Sequence, residues 1–201
     1  MPLSTPAALL LALSLLAACS SQTVTQPARS ATEQLLISTA IDRAAERLAA
    51  ALPVRGKLFL EPVNLDGNDG KYAVGAVREA LLRHGDRVVA SRLDADTIVE
   101  LRSGALSIDS DSLLVGVPSI SLPLVQGLAT PKIALFSEDL NQGVVKLVGT
   151  AYDPKSGELV AASGPAFGFA NQAEWTALLV MSWTTSDIKA DQQRPEPLPW
   201  D

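Results

Sequence analysis

Side chains that could do chemistry are few in this chain. It has one cysteine, Cys19, and one histidine, His84. A Ser/His/Asp site needs an oriented nucleophile beside its base, and zinc needs three or four ligands. A lone imidazole meets neither requirement. His84 stands at the end of a predicted helix before Gly85, where capping or dipole compensation is the simpler use of the ring. The stretch "DGNDG" at 66–70 sets carboxylates beside glycines. A calcium loop of EF-hand type wants oxygen ligands at positions 1, 3 and 5 and Glu at position 12. Counted from Asp66, those last two places fall on Gly70 and Val77, so a turn with Asp69 near a helix start is expected instead. "DSDS" at 109–112 offers Asp109 and Asp111. Paired carboxylates do acid–base work only where their surroundings split their pKa values, and a solvated turn is the expectation. No catalytic, metal-binding or cofactor-binding residue emerges, no cofactor is implied, and the chain does not read as an enzyme.

Cys19 has a different use. It ends the apolar run from Ala7 to Ala18, twelve residues of Ala, Leu and one Ser. Spanning a bilayer takes about 20 apolar residues, so this run is of signal-peptide length. Leu16-Ala17-Ala18-Cys19 resembles the lipobox of bacterial lipoproteins. That resemblance implies a diacylglyceryl group on the Cys19 thiol, cleavage before it, and membrane attachment through acyl chains at about 0.8 kcal/mol per buried CH₂. Ser20 follows, where an Asp would imply retention at the inner membrane; Ser implies the outer membrane, with the domain lipid-anchored on the periplasmic face. "MPLSTPAALL" has no Lys or Arg. Either the terminal amine supplies the positive charge of the leader, or the true start lies upstream. A plain secretory signal with a chance cysteine is the alternative.

The elements behind this cysteine set the rest. Removal of 1–18 leaves 183 of the 201 residues, enough for one domain with its own core. With one cysteine there is no internal disulfide, so burial alone must stabilise it. The chain carries 16 Lys and Arg against 22 Asp and Glu, net −6, without a basic run. That balance argues against nucleic acid or an anionic membrane face as partner. The expected division is a leader at 1–18, a lipidated tether at 19–29, one periplasmic domain at 30–188 and a proline-rich tail at 189–201. Fully extended, residues 20–29 reach about 35 Å.

"SATEQLLISTAIDRAAERLAAALP" predicts a helix opened by a Ser30/Glu33 capping box and closed by Pro53. Leu36 or Ile37, Ala40, Ile41, Ala44, Leu48 and Leu52 share one face, while Asp42, Arg43, Glu46 and Arg47 share the other. A strand is expected at 56–65. A helix from about Tyr72 to His84 follows, with Val74, Val77, Leu81 and Leu82 inward and Gly85 as C-cap. "DRVVAS" reads as a short strand and 94–109 as a longer one with a bulge at Gly104. Three further strands are expected at 131–139, 143–153 and 157–168, the last two joined by a turn at Asp153-Pro154. A final helix is expected from about Asn171 to Trp183. The fold class is α/β (α+β): a mixed, largely antiparallel sheet with helices mainly on one face.

Residues 112–131 carry no charge over twenty positions. Two readings stand: a buried crossover bent at Pro118, or an apolar loop for a partner protein or a lipid surface. The tail ending at Trp200 reads as an untethered end or a docking peptide.

"SATEQLLIS", "VELRSGALSIDSDSLLVGVPSI", "YDPKSGELV" and "SWTTSDI" are similar to an uncharacterised family of proteobacterial lipoproteins, over most of 30–188. The element order, with "DADTIVEL", is also similar to the periplasmic α/β modules of the curli-secretion lipoprotein and the Tol-system propeller protein. These resemblances imply an envelope protein with no assigned activity. The leading expectation is a non-enzymatic outer-membrane lipoprotein acting through protein contacts in envelope assembly or maintenance. A subunit of an oligomeric secretion or transport complex, and an envelope hydrolase with scattered carboxylates, are the alternatives.

Overall fold

The computed structural model describes residues 29–54, 56–65, 69–119 and 133–189. Within them the order is α1 (Ala31–Ala51), β1 (Lys57–Asn64), α2 (Gly70–Arg83), β2 (Arg87–Val88), a 3-10 turn (Arg92–Asp94), β3 (Thr97–Val117), β4 (Ile133–Tyr152), β5 (Leu159–Ala177) and β6 (Met181–Ser186). Six strands form one mixed sheet in the order β2-β1-β3-β4-β5-β6. β1 runs parallel to both β2 and β3, and the pairs β3–β4, β4–β5 and β5–β6 are antiparallel. With two helices, the class is α+β.

The stripe on α1 does what its spacing dictates. Leu36, Ile37, Ala40, Ile41, Ala44, Leu48 and Leu52 are all buried, together with Ala45 and Ala49. Burying each large aliphatic side chain contributes about 1.5–3 kcal/mol. The small residues have a second role, because α1 lies almost backbone to backbone on the sheet. A Cβ added at Gly168 of β5 would stand 1.8 Å from the Ala40 carbonyl oxygen, and one at Gly143 of β4 2.7 Å from that of Leu36. Only glycine lets the two backbones approach this closely.

α2 packs against α1 and against β1 and β2. His84 is its C-cap and Gly85 follows at φ +92°. Its inner residues are Ala73, Val77, Ala80 and Leu81, whereas Leu82 is about half exposed and Val74 only partly buried. The expected inner set therefore turns by a fraction of a turn, because small Ala73 and Ala80 let α2 sit close.

β3, β4 and β5, of 19 to 21 residues, are more than three times the usual length of about 5–6 residues, and this overturns several expectations. The two strands expected at 131–139 and 143–153 are one continuous strand, since Leu140, Asn141 and Gln142 pair with Asp111, Ser110 and Asp109 on one side and Ala173, Gln172 and Asn171 on the other. "DSDS" is accordingly strand and not a solvated turn. The helix expected over 171–183 is absent: Asn171–Ala177 completes β5, Leu178–Val180 is a turn, and β6 returns alongside. Trp, Thr and Val favour a pleated surface, and a neighbouring strand with open hydrogen bonds overrides the local helical pattern. Leu178 and Leu179 take φ +50° and +71°, strain offset as their amides donate to Leu135 and Ala134 carbonyls at 2.9 and 3.1 Å. The expected bulge at Gly104 is present as a register shift between Ser103 and Ala105. So is the 153–158 turn, in which the Asp153 carboxylate accepts from the Lys155 and Ser156 amides at 2.7 and 3.0 Å.

The α1 contact predicts opposite outcomes at two glycines. Gly168→Val destabilises the fold by about 3 kcal/mol through overpacking. Gly75→Ala, in an exposed turn of α2 with nothing within 4 Å of the new methyl, stabilises it by about 0.5–1 kcal/mol. Urea unfolding of the two variants beside the parent checks both signs.

Candidate functional site

Alternation along β4 assigns the two faces of the sheet. Gly143, Val145, Leu147, Gly149 and Ala151 are buried on the α1 side. The even-numbered positions turn the other way, and register carries that face across neighbouring strands. Leu113 and Val115 of β3, Phe136, Leu140, Val144 and Val148 of β4, Phe167, Phe169 and Trp175 of β5 and Trp183 of β6 all lie on it. Ring geometry confirms the sharing: Phe167 and Phe169 stack at 6.1 Å, Trp175 and Trp183 at 6.3 Å, and Phe136 tilts against Trp175 at 5.9 Å. No described residue covers this surface. Phe167 is 40% exposed, Phe169 41% and Trp183 45%. Between the Phe167–Phe169 pair and Trp175 the same face carries Asp109, Asp111, Gln142 and Asn171. At one end it is closed by the loop carrying the 3-10 turn, where Arg92 donates to Glu61 at 2.5 Å and to the Tyr152 hydroxyl at 3.1 Å.

The outer side of the helix pair holds an open cleft of about 590 Å³ lined by charged side chains. Tyr72 donates to the Asp42 carboxylate, with its oxygen 3.1 and 3.2 Å from the two carboxylate oxygens. Arg83 bridges Glu46 at 3.3 Å and also pairs with Glu79. His84 Nε2 stands 3.5 Å from Glu46 Oε2. Burial pushes the Asp42 carboxyl up from its ordinary value, against the Tyr72 hydrogen bond that lowers it. Burial first, then the Asp42 charge and hydrogen bond, push the Tyr72 hydroxyl up to about 12. These groups fasten α2 to α1, with donors matched to acceptors.

Two arginines that sequence spacing assigned to the polar face of α1 work on the sheet instead. β6 pairs with β5 only from Gln172 onward, leaving earlier β5 carbonyls open along that edge. Arg47 donates to the Phe167 carbonyl and Arg43 to that of Phe169, both at 2.5 Å. Arg43 also reaches the Asp187 carbonyl at 2.8 Å and its carboxylate at 3.1 Å. Burial pushes the Asp187 carboxyl up, but the Asn171 amides and Arg43 outweigh it, and the group settles below its ordinary value. A period-3.6 pattern shows which helix face is polar, not which edge of a sheet waits beneath it.

Cys19 lies outside the described residues, as do 120–131 of the uncharged segment, Asp66 and the tail from residue 190. Asp69 stands at the α2 N-cap position. Asp109 and Asp111 fall on the uncovered face of β3, paired with Gln142 and Leu140. Leu113, Val115 and Val117, the strand part of the uncharged segment, are each about half exposed. Among the described residues no cluster of His, Cys, Asp and Glu could hold a metal ion, and no helix is long and apolar enough to cross a membrane.

Fold and surface together define an α+β domain whose sheet is padded by α1 on one side and, among the described residues, uncovered on the other. The chain belongs to a family of unknown function, DUF6655, which matches residues 13–173. No curated protein matches it.

Two titrations follow from these contacts. Because the Tyr72 hydroxyl titrates near 12 in the fold and at its ordinary 10.0 when unfolded, its contribution is complete below pH 10 and is lost as pH rises towards 12. Tyr72→Phe flattens the fall in denaturant midpoint between pH 9 and 11.5. Asp187 has the opposite sense: its contribution is present above the ordinary carboxylate value and is lost as pH falls through its lowered one. Asp187→Asn costs about 1 kcal/mol at pH 7, discounted for partial exposure, and removes that acid-side loss. Urea midpoints at pH 7 and pH 3 measure it.

Proposed function

We propose that this protein is an outer-membrane lipoprotein, anchored on the periplasmic face by acyl chains on Cys19, whose domain acts through protein contacts in cell-envelope assembly or maintenance. The observation that carries the second half is the uncovered apolar face of β3–β6. Phe167, Phe169 and Trp183 there lie at 40–45% exposure, a state a water-exposed domain sustains where a partner covers it for part of its life. The first half is supported by Leu16-Ala17-Ala18-Cys19 at the end of the apolar run. Behind it, 19–29 serves as the tether and the domain from residue 30 as the working part. The element order similar to periplasmic modules of the curli-secretion lipoprotein and the Tol-system propeller protein is consistent with the same compartment. The face is made of sheet, so recognition is by shape and apolar contact rather than by a reacting group.

A second reading, a subunit of an oligomeric secretion or transport complex, is favoured by the edge of β6, whose only strand neighbour among the described residues is β5. An exposed, uncharged edge strand is a template for pairing with another chain.

Cys19→Ala tests the anchor. The variant is expected to leave the membrane fraction, or to remain at precursor mass, with no acyl-modified N-terminal peptide by mass spectrometry. Retention in the membrane at the parent's processed mass contradicts the lipoprotein reading.

A further inference from the structure

One end of the long strands is free of charge. Beyond the level at which Glu138 pairs with Leu113 and Trp175, the described residues of β3 to β6 and of the turn between β5 and β6 include no Asp, Glu, Lys or Arg. Lys132, the sole charge in the sequence joining β3 to β4, lies outside the described residues. Val117, Ile133, Leu135, Leu178, Leu179 and Val180 are each about half exposed or more, and Val180 reaches 84%. They form one tip, because the Leu178 and Leu179 amides donate to the Leu135 and Ala134 carbonyls of β4.

Two features set this tip apart from an ordinary strand end. Leu178 and Leu179 hold φ +50° and +71°, where glycine or asparagine sits with less strain. Local stability alone would place another residue there, yet both positions carry leucine with its side chain largely in solvent. The rim of the tip is also layered. Trp175 and Trp183 stack there with Phe136 tilted against Trp175, and Asp111, Glu138, Asp139 and Glu174 stand at that level or just behind it. Apolar tip, indole layer, then charge is the order into which a lipid–water boundary sorts side chains.

We propose that this end of the sheet dips into a lipid surface of zwitterionic headgroups and stands the domain on it. A protein partner could bury the same leucines, but it does not call for an indole layer between them and the charges. The direction of α1 agrees. Leu36 meets β4 at Gly143 and Leu48 meets it at Gly149, so α1 runs along β4 in the same sense and its N-terminus points towards the tip end. The chain ahead of Ala31 therefore leaves the domain at that end, where acyl chains on Cys19 would hold it to a membrane. That step rests on the lipoprotein reading, whereas the tip itself does not use Cys19.

Charge and depth define the surface. The carboxylates behind the rim have no Lys or Arg among them on the four strands, so an anionic surface repels this end. Val180 lies three residues past Trp183, about 10 Å at about 3.3 Å per residue, which matches the depth of interfacial elements. Deeper insertion would take the outer backbone edge of β6 out of water. The Phe167–Phe169 stack stands about 20 Å or more behind Trp175 along β5 and stays clear of lipid for the protein contacts proposed above.

The test is photo-cross-linking from the tip. Full chain with a benzoyl-phenylalanine in place of Val180 is reconstituted into phosphatidylcholine vesicles, beside chain with the same probe in place of Lys155 in the turn at the far end of the sheet. Mass spectrometry is expected to find the phospholipid adduct at position 180 at least tenfold above that at 155. Equal adducts at the two positions overturn the proposal, as does a probe at 180 that captures only protein in native envelopes and no lipid in vesicles. Adding an anionic lipid to the vesicles is expected to leave the adduct unchanged or lower; a several-fold rise overturns the zwitterionic assignment. Leu178→Asn with Leu179→Asn is expected to keep the parent's urea midpoint or raise it, and to lower the adduct at least fivefold. Val117→Asp, outside the strained turn, is expected to lower it likewise. An unchanged adduct in a folded variant of either kind overturns the proposal. The mass of the N-terminal peptide from the same samples reports acylation of Cys19, so the anchor and the tip fail independently.

Discussion

Contact between the α1 backbone and the backbones of β4 and β5 is the constraint from which the rest of the domain follows. At Gly143 and Gly168 the helix leaves no room for a Cβ. That closeness fixes the axial position of α1 to within a residue, because a one-turn slip would bring Leu36 or Ile41 onto strands that tolerate only small side chains there. Once α1 is seated, Arg43 and Arg47 reach the β5 carbonyls that β6 does not pair. The same arginines thus tie down the sheet edge and, through Asp187, the end of β6. α2 is then held on α1 by a small-residue seam and by the Tyr72–Asp42 and Arg83–Glu46 contacts.

The seating of α1 on one side has a consequence on the other. Strands of 19 to 21 residues extend past any helix of this size, and pleat alternation sends every second side chain to the opposite face. Evolution of a water-exposed back would place polar residues there. Instead the sequence puts Phe167, Phe169, Trp175 and Trp183 on it, beside charged residues of both signs. The buried core cluster lies on the α1 side and includes none of these four aromatic residues.

Much of this was legible from residue spacing, and the losses have identifiable causes. The α1 stripe, β1, the bulge at Gly104 and the 153–158 turn depend on contacts within a few residues, and periodicity or turn chemistry reports those. The hairpin over 171–186 depends on β4 lying alongside, and its turn uses two leucines at positive φ where a glycine or asparagine would have announced it. "LNQ" at 140–142 resembles a loop in composition, yet both its neighbours supply hydrogen bonds. The apolar face was only half visible: the uncharged run at 112–131 drew notice, but its share in a four-strand surface appears only when register places Leu113 beside Glu138 and Trp175. The one residue to which spacing assigns a chemical role, Cys19, lies outside the described residues.

On the proposed function, the sheet face that no described residue covers is covered by a protein partner in the envelope. Hydroxyl-radical footprinting measures that directly, residue by residue. Phe167, Phe169 and Trp183 are expected to oxidise readily in dilute purified protein and at least fivefold less in native envelopes, with Leu36 and Ile41 protected in both. Equal oxidation of the three aromatic residues in the two preparations would contradict it.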